Sequence, residues 1–95
     1  METKPEHFFY VLECKDNSYY AGYTNDLEKR VRVHNEGKGA KYTRGKLPVR
    51  CIYYETYETK REAMQAEYYF KKLIREKKEQ HIKAGSGVRE VAEKC

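Results

Sequence analysis

Tyr19-Tyr20-Ala21-Gly22-Tyr23-Thr24 runs straight into Asn25-Asp26-Leu27-Glu28-Lys29-Arg30-Val31-Arg32-Val33-His34. Half of the first six residues are tyrosines, which suit an extended chain. The next ten carry a helix start, with Asn25 as N-cap and Glu28 three residues on. A strand therefore passes directly into a helix predicted over residues 26 to 36, which Gly37 ends. Upstream, His7 to Cys14 contains Phe8, Phe9, Tyr10, Val11 and Leu12, then stops at Lys15-Asp16-Asn17-Ser18. That turn composition makes the two strands a hairpin. Period-2 geometry puts Tyr10 on one face with Phe8 and Leu12, and Tyr20 on one face with Gly22 and Thr24. Whether the two faces coincide depends on a register that the sequence leaves open.

Downstream, Gly37, Gly39, Gly45 and Pro48 break the segment up to Val49, which reads as an irregular basic loop. Val49 to Tyr57 is rich in Tyr, Ile and Val and forms a third strand. Thr59-Lys60-Arg61-Glu62 fits a capping box. It opens a helix running to about Lys78 with Ala63, Ala66, Phe70, Leu73 and Ile74 as its apolar stripe, and a short terminal helix around Lys77 to Lys83 is compatible with the same stretch. Gly85-Ser86-Gly87 and the polar residues to Cys95 read as a flexible tail. The expectation is one α+β domain over residues 1 to 84 and a tail over residues 85 to 95, because 95 residues support only one core.

Composition removes several classes of function. Charged residues are 37% and hydrophobic residues 39% of the chain, and no apolar run approaches the roughly 18 residues of a membrane helix. The N-terminus shows no secretory h-region, and three scattered cysteines (Cys14, Cys51, Cys95) give no disulfide framework, so a reducing cytoplasm is expected. Neither they nor His7, His34 and His81 have the paired spacing of a structural zinc site. Lys29, Arg30, Arg32, Lys38, Lys41, Arg44, Lys46 and Arg50 face only Glu28 and Glu36 between residues 27 and 50, a local excess larger than the net +5 of the whole chain. Such a segment is the footprint of a phosphate-backbone binder, or else a solvated lysine-rich surface.

Within this frame a few residues stand out. Glu67 lies in the apolar stripe of the late helix, four residues after Ala63 and three before Phe70. A buried carboxylate needs a cation, a hydrogen-bond network or a cleft open to water. A salt bridge to a nearby arginine or a wet stripe edge would satisfy it as well as a functional site. Arg30 and His34 are one helical turn apart beside Leu27 and Val31. Arg30 can hold a phosphate in two bonds and His34 titrates near neutrality, although each alone also suits a surface base or a packing residue. Tyr10 and Tyr20 serve equally as core or as site phenols. The glycine spacing of the loop fails a Walker A motif and a dinucleotide fingerprint, and two aspartates are too few for a two-metal acidic cluster.

Taken in order, Phe8-Phe9-Tyr10, Tyr20-Ala21-Gly22, Asn25 to Arg30, His34, Gly37 to Arg44 and Glu67 resemble the GIY-YIG nuclease superfamily over about residues 7 to 83, and most of all its small stand-alone bacterial members. Only the tyrosine of the first triplet is kept, and Ala21 replaces the isoleucine of the second. The resemblance implies a central three-stranded antiparallel sheet flanked by helices, and hydrolysis of phosphodiesters with one Mg²⁺ or Mn²⁺. On matching positions, Glu67 would be the sole protein carboxylate on the metal. Tyr20 would deprotonate or orient the attacking water, with Tyr10 holding geometry beside it. Arg30 would neutralise phosphoryl charge, and His34 would relay the proton or orient Tyr20. Lys38, Lys41, Thr43, Arg44 and Lys46 would contact flanking phosphates. The expected partner is DNA, branched, nicked or damaged, with RNA and repair proteins as further partners and no membrane. The alternative is a noncatalytic nucleic-acid-binding or repair-accessory module on the same fold.

Overall fold

The computed structural model describes residues 6–86. Its elements follow in the order β1 (His7–Glu13), β2 (Tyr19–Thr24), α1 (Leu27–Asn35), α2 (Lys41–Arg44), β3 (Arg50–Tyr57), α3 (Lys60–Lys71) and α4 (Arg75–Ser86). The three strands form one antiparallel sheet in the order β2-β1-β3. β1 is central, which explains why Phe8 to Leu12 is an unbroken apolar run: both faces of the strand are covered. Phe8, Tyr10 and Leu12 pack with Leu27 and Val31 of α1 and with Val49 and Cys51. Phe9 and Val11 pack on the other face with Ala21, Tyr53, Phe70, Leu73 and Ile82, beneath α3 and α4.

Local chemistry accounts for most element ends. Asn17 takes a left-handed φ of 69° in the β1–β2 turn, a conformation that asparagine tolerates, and Asp16 accepts from the Ser18 amide. Asp26, rather than Asn25, caps α1 by accepting from the Lys29 amide. The carboxylate at residue 26 has the reach that the sequence reading gave to its neighbour. Thr59 caps α3 through the Glu62 amide, as the capping box predicts. The basic loop contains one helical turn, α2, which the run of glycines concealed. Its far end is fixed by Asn35, whose side chain bonds both the amide and the carbonyl of Val49 at 2.7 and 3.0 Å.

The single long helix expected from Thr59 to Lys78 is two. The Lys72 and Leu73 amides turn back to Tyr69 and Phe70 in tightened bonds, and the chain re-enters a helix at Arg75. No breaker residue causes this. The turn brings Leu73 and Ile82 onto the sheet and leaves Ile74, expected in the apolar stripe, 65% exposed. α4 is held to β3 by a polar knot in which the Tyr53 and Tyr57 hydroxyls and His81 Nε2 all meet the Glu55 carboxylate. Burial alone would raise the Glu55 carboxyl, but these three hydrogen bonds and the His81 charge outweigh it and hold the group below its ordinary value. Gly85 and Ser86, placed in the tail by the sequence reading, belong to α4, with Gly85 packed against the Tyr53 ring. Residues 87–95 of the expected tail lie outside the described residues.

Candidate nuclease site

The register settles the question left open above. Tyr10 stands opposite Gly22 and Leu12 opposite Tyr20, so both phenols rise from the same face of the sheet, the one covered by α1. Gly22 is needed for this. A Cβ there would lie 2.5 Å from the Tyr10 hydroxyl oxygen, so the glycine makes room for the phenol to cross its neighbouring strand.

From α1, Arg30 and His34 descend one turn apart onto the phenols. His34 is completely buried, and its two ring nitrogens are both engaged, Nε2 with the Tyr10 hydroxyl at 3.2 Å and Nδ1 with Thr43 Oγ1 at 2.9 Å. The direction of these bonds follows from Thr43. Its single hydroxyl proton goes to the Ala40 carbonyl, so Thr43 accepts from His34 Nδ1–H, and Nε2 is left to accept from Tyr10. Arg30 Nε–H in turn donates to the Tyr10 oxygen at 3.4 Å. The result is a one-way chain from the Arg30 guanidinium through Tyr10, His34 and Thr43 to a backbone carbonyl.

This chain fixes charge states as well as positions. Burial, reinforced by the Arg30 charge, pushes the His34 imidazole down to about 4, so it is neutral near neutral pH. Burial pushes the Tyr10 phenol up to about 12, against the hydrogen bond from Arg30. Arg30 is held above its ordinary value, chiefly by its hydrogen bond to Tyr10 and also by Tyr20. Tyr10 is thus a locked donor. His34 meets Tyr20 with its ring, the centroids 5.3 Å apart, while both its nitrogens face elsewhere. The proton relay from Tyr20 through His34 has no nitrogen to use, and His34 instead orients Tyr10.

Tyr20 is only partly buried and lines a cleft of about 350 Å³ with Tyr19, Ala21, Tyr42, Phe70, Lys71 and Lys78. Glu67 stands on α3 outside that lining, joined to the cleft through Lys71. Its side chain is 19% exposed, and Oε2 lies 2.6 Å from the Lys71 ammonium, one turn further along the helix. Its charge reaches the Tyr10 phenol and opposes ionisation there. The carboxylate in the apolar stripe is therefore partly wet and paired with a lysine, not with an arginine. Among the described residues no three His, Cys, Asp or Glu side chains gather into a metal cage. A single carboxylate beside a cleft fits a hard ion such as Mg²⁺ or Mn²⁺, which keeps waters and shares a substrate phosphate, and does not fit a closed four-ligand zinc site.

The basic loop divides. Lys38, Lys41 and Arg44 are exposed. Lys46 is tied to Asp16 at 3.5 Å and lies 3.8 Å over the Tyr42 ring. Thr43, expected to face phosphate, is completely buried with its hydroxyl spent on His34 and Ala40, which corrects that expectation. Gly39 packs its backbone on the His34 ring, where a side chain would clash. The sequence reading missed Tyr42, 46% exposed and 6.0 Å from the Tyr20 ring, and the cleft lysines Lys71 and Lys78. A tyrosine inside a basic loop, and a cation one helical turn beyond Glu67, are the signals that could have found Tyr42 and Lys71, whereas Lys78 reaches the cleft from α4.

Comparison with known proteins agrees with this fold. A family model described as the GIY-YIG catalytic domain matches residues 6–80. The UPF0213 protein YazA of Bacillus subtilis is 70% identical over 82 residues, covering 86% of this chain and 82% of its own. A UPF0213 protein of Bacillus cereus is 62% identical over the same length, covering 86% of this chain and 85% of its own. Among solved structures, the solution NMR structure of an E. faecalis protein superposes with a TM-score of 0.62 at 49% identity, covering 94% of this chain and 95% of that one. That of the UPF0213 protein of Bacillus halodurans gives 0.58 at 48% identity, with 87% and 88% covered.

Proposed function

The chain belongs to the GIY-YIG family, a family of nuclease domains, and from that membership we propose that it is a metal-dependent endonuclease hydrolysing phosphodiester bonds in DNA, with branched, nicked or damaged duplexes as its substrates. The observation that carries the reading is the chain of bonds from Arg30 through Tyr10 to His34, set beside a cleft that Tyr20 shares with two lysines. Glu67 would hold the divalent cation, which supplies charge for the scissile phosphate and the departing oxyanion.

The chain's own residues divide the remaining work. Tyr20, the more accessible phenol, orients the attacking water or, once its own proton has passed to solvent through the open cleft, takes the proton of that water. Tyr10 stays protonated and holds Arg30 in place, so that the guanidinium meets the charge growing on the phosphoryl oxygens without reorganising. His34 and Thr43 keep Tyr10 pointing one way. Lys38, Lys41 and Arg44 carry flanking phosphates without reading sequence, and the cleft lysines extend that track. Among the described residues no helix is long and apolar enough to cross a membrane, and the buried free thiol of Cys14 suits a reducing cytoplasm.

A second reading, a noncatalytic nucleic-acid-binding module, is favoured by one fact: the Glu67 carboxylate is already paired with Lys71. The two readings part on a cleavage gel of branched, nicked and single-stranded DNA and of RNA, with and without Mg²⁺ or Mn²⁺. The endonuclease reading expects cleavage of a DNA substrate that Glu67→Gln removes while binding persists. Binding without cleavage of any substrate supports the module.

A further inference from the structure

From the 2.6 Å contact between Glu67 Oε2 and the Nζ of Lys71, a residue that lines the Tyr20 cleft, we infer that Lys71 is an exchangeable counter-ion: it occupies Glu67 until a divalent cation arrives, and then passes to a substrate phosphate. The inference rests on the reading of Glu67 as the metal ligand. It gives that reading an order of events and makes the phosphate contact of Lys71 conditional on the ion.

Three observations carry it. The lysine and a cation on Glu67 would compete for the same carboxylate, because the ammonium lies directly on Oε2. The lysine is displaceable: its side chain is 51% exposed, the pair is a single i,i+4 contact on one helix, and such pairs stabilise a helix only slightly. It also has somewhere to go, since Lys71 lines the cleft with Tyr20, Tyr42 and Lys78. An ammonium on a flexible four-carbon stem can swing from the carboxylate into that cleft, where a rigid guanidinium could not follow as freely. Before the ion binds, the pair keeps the lone carboxylate from repelling a polyanion. After it binds, the released charge is available to the phosphate.

Lys71→Met and Glu67→Gln test this without any turnover. Mn²⁺ affinity, read by electron paramagnetic resonance in the absence of nucleic acid, should tighten about threefold to tenfold in Lys71→Met, because a competing cation and its repulsion are both removed. Glu67→Gln should abolish that site in either background. Binding of an oligonucleotide duplex should then weaken severalfold in Lys71→Met when Ca²⁺ fills the site, and change little when no divalent ion is present. Unchanged or weaker Mn²⁺ binding by Lys71→Met overturns the exchange. So does an equal loss of duplex binding with and without Ca²⁺, which would make Lys71 a fixed phosphate contact. Mn²⁺ binding that ignores Glu67→Gln removes the metal reading itself, and the exchange with it.

Discussion

The Tyr10 hydroxyl donates to His34 Nε2 across 3.2 Å, linking the central strand to the first helix inside a fully buried contact. Because Thr43 fixes the opposite nitrogen as the donor, Tyr10 supplies the only proton that Nε2 can receive among the described residues. Tyr10→Phe therefore leaves a buried acceptor without a partner. We expect a loss of about 1–3 kcal/mol in urea unfolding at neutral pH. A change within a few tenths of a kcal/mol would show that the bond does not hold the helix to the sheet.

The same burial gives stability a pH dependence with a defined sign. His34 takes a proton at its ordinary value of 6.5 when unfolded but only at about 4 when folded, so the unfolded state binds more protons between those values. Stability from this group is fully present above about pH 6.5 and is lost as pH falls toward 4, amounting to ~3 kcal/mol at most. Urea unfolding between pH 7.5 and 4 should follow that slope, and His34→Gln should flatten it. Glu55, held below its ordinary value, acts in a lower window: its share is present above about pH 4.3 and disappears as pH falls through the lower folded value.

Much of the scaffold is legible in the sequence because its signals are local. The turn at Asp16-Asn17, the caps at residues 26 and 59 and the unbroken apolar run of β1 each depend on a few neighbouring residues. What escaped depends on contacts distant in sequence. The bend after Lys71 exists because Leu73, His81 and Ile82 find the sheet, not because a residue there breaks helices. Thr43 reads as a loop hydroxyl until His34 is seen above it. Glu67 was identifiable as an anomaly in an apolar stripe, but its pairing with Lys71 was not separable from the other lysines nearby.

Gly22 carries a specific steric demand. Gly22→Ala puts a methyl group into the Tyr10 phenol, which is buried and bonded to both Arg30 and His34 and yields poorly. The expected cost is about 1–3 kcal/mol in unfolding, together with displacement of the Tyr10 hydroxyl from His34. Chemical shifts of the His34 ring nitrogens report that displacement, and unchanged shifts would contradict it.

The loop substitutions separate surface charge from buried support. Lys41→Ala and Arg44→Ala should each weaken nucleic-acid binding and lower the slope of log affinity against log salt by about one. Thr43→Val should destabilise the fold and leave that slope unchanged. A slope that falls equally in all three would mean that Thr43 reaches phosphate after all.

Metal-dependent cleavage is the most direct test of the site. Wild-type protein, Glu67→Gln and Arg30→Ala are compared on nicked and branched DNA in Mg²⁺ and in Mn²⁺, with folding confirmed by circular dichroism and binding measured in Ca²⁺. The account predicts cleavage by the wild type in either ion, none by Glu67→Gln despite retained binding, and at least a hundredfold slower turnover in Arg30→Ala, on the order of a lost transition-state charge contact. Undiminished cleavage by a folded Glu67→Gln protein would contradict it.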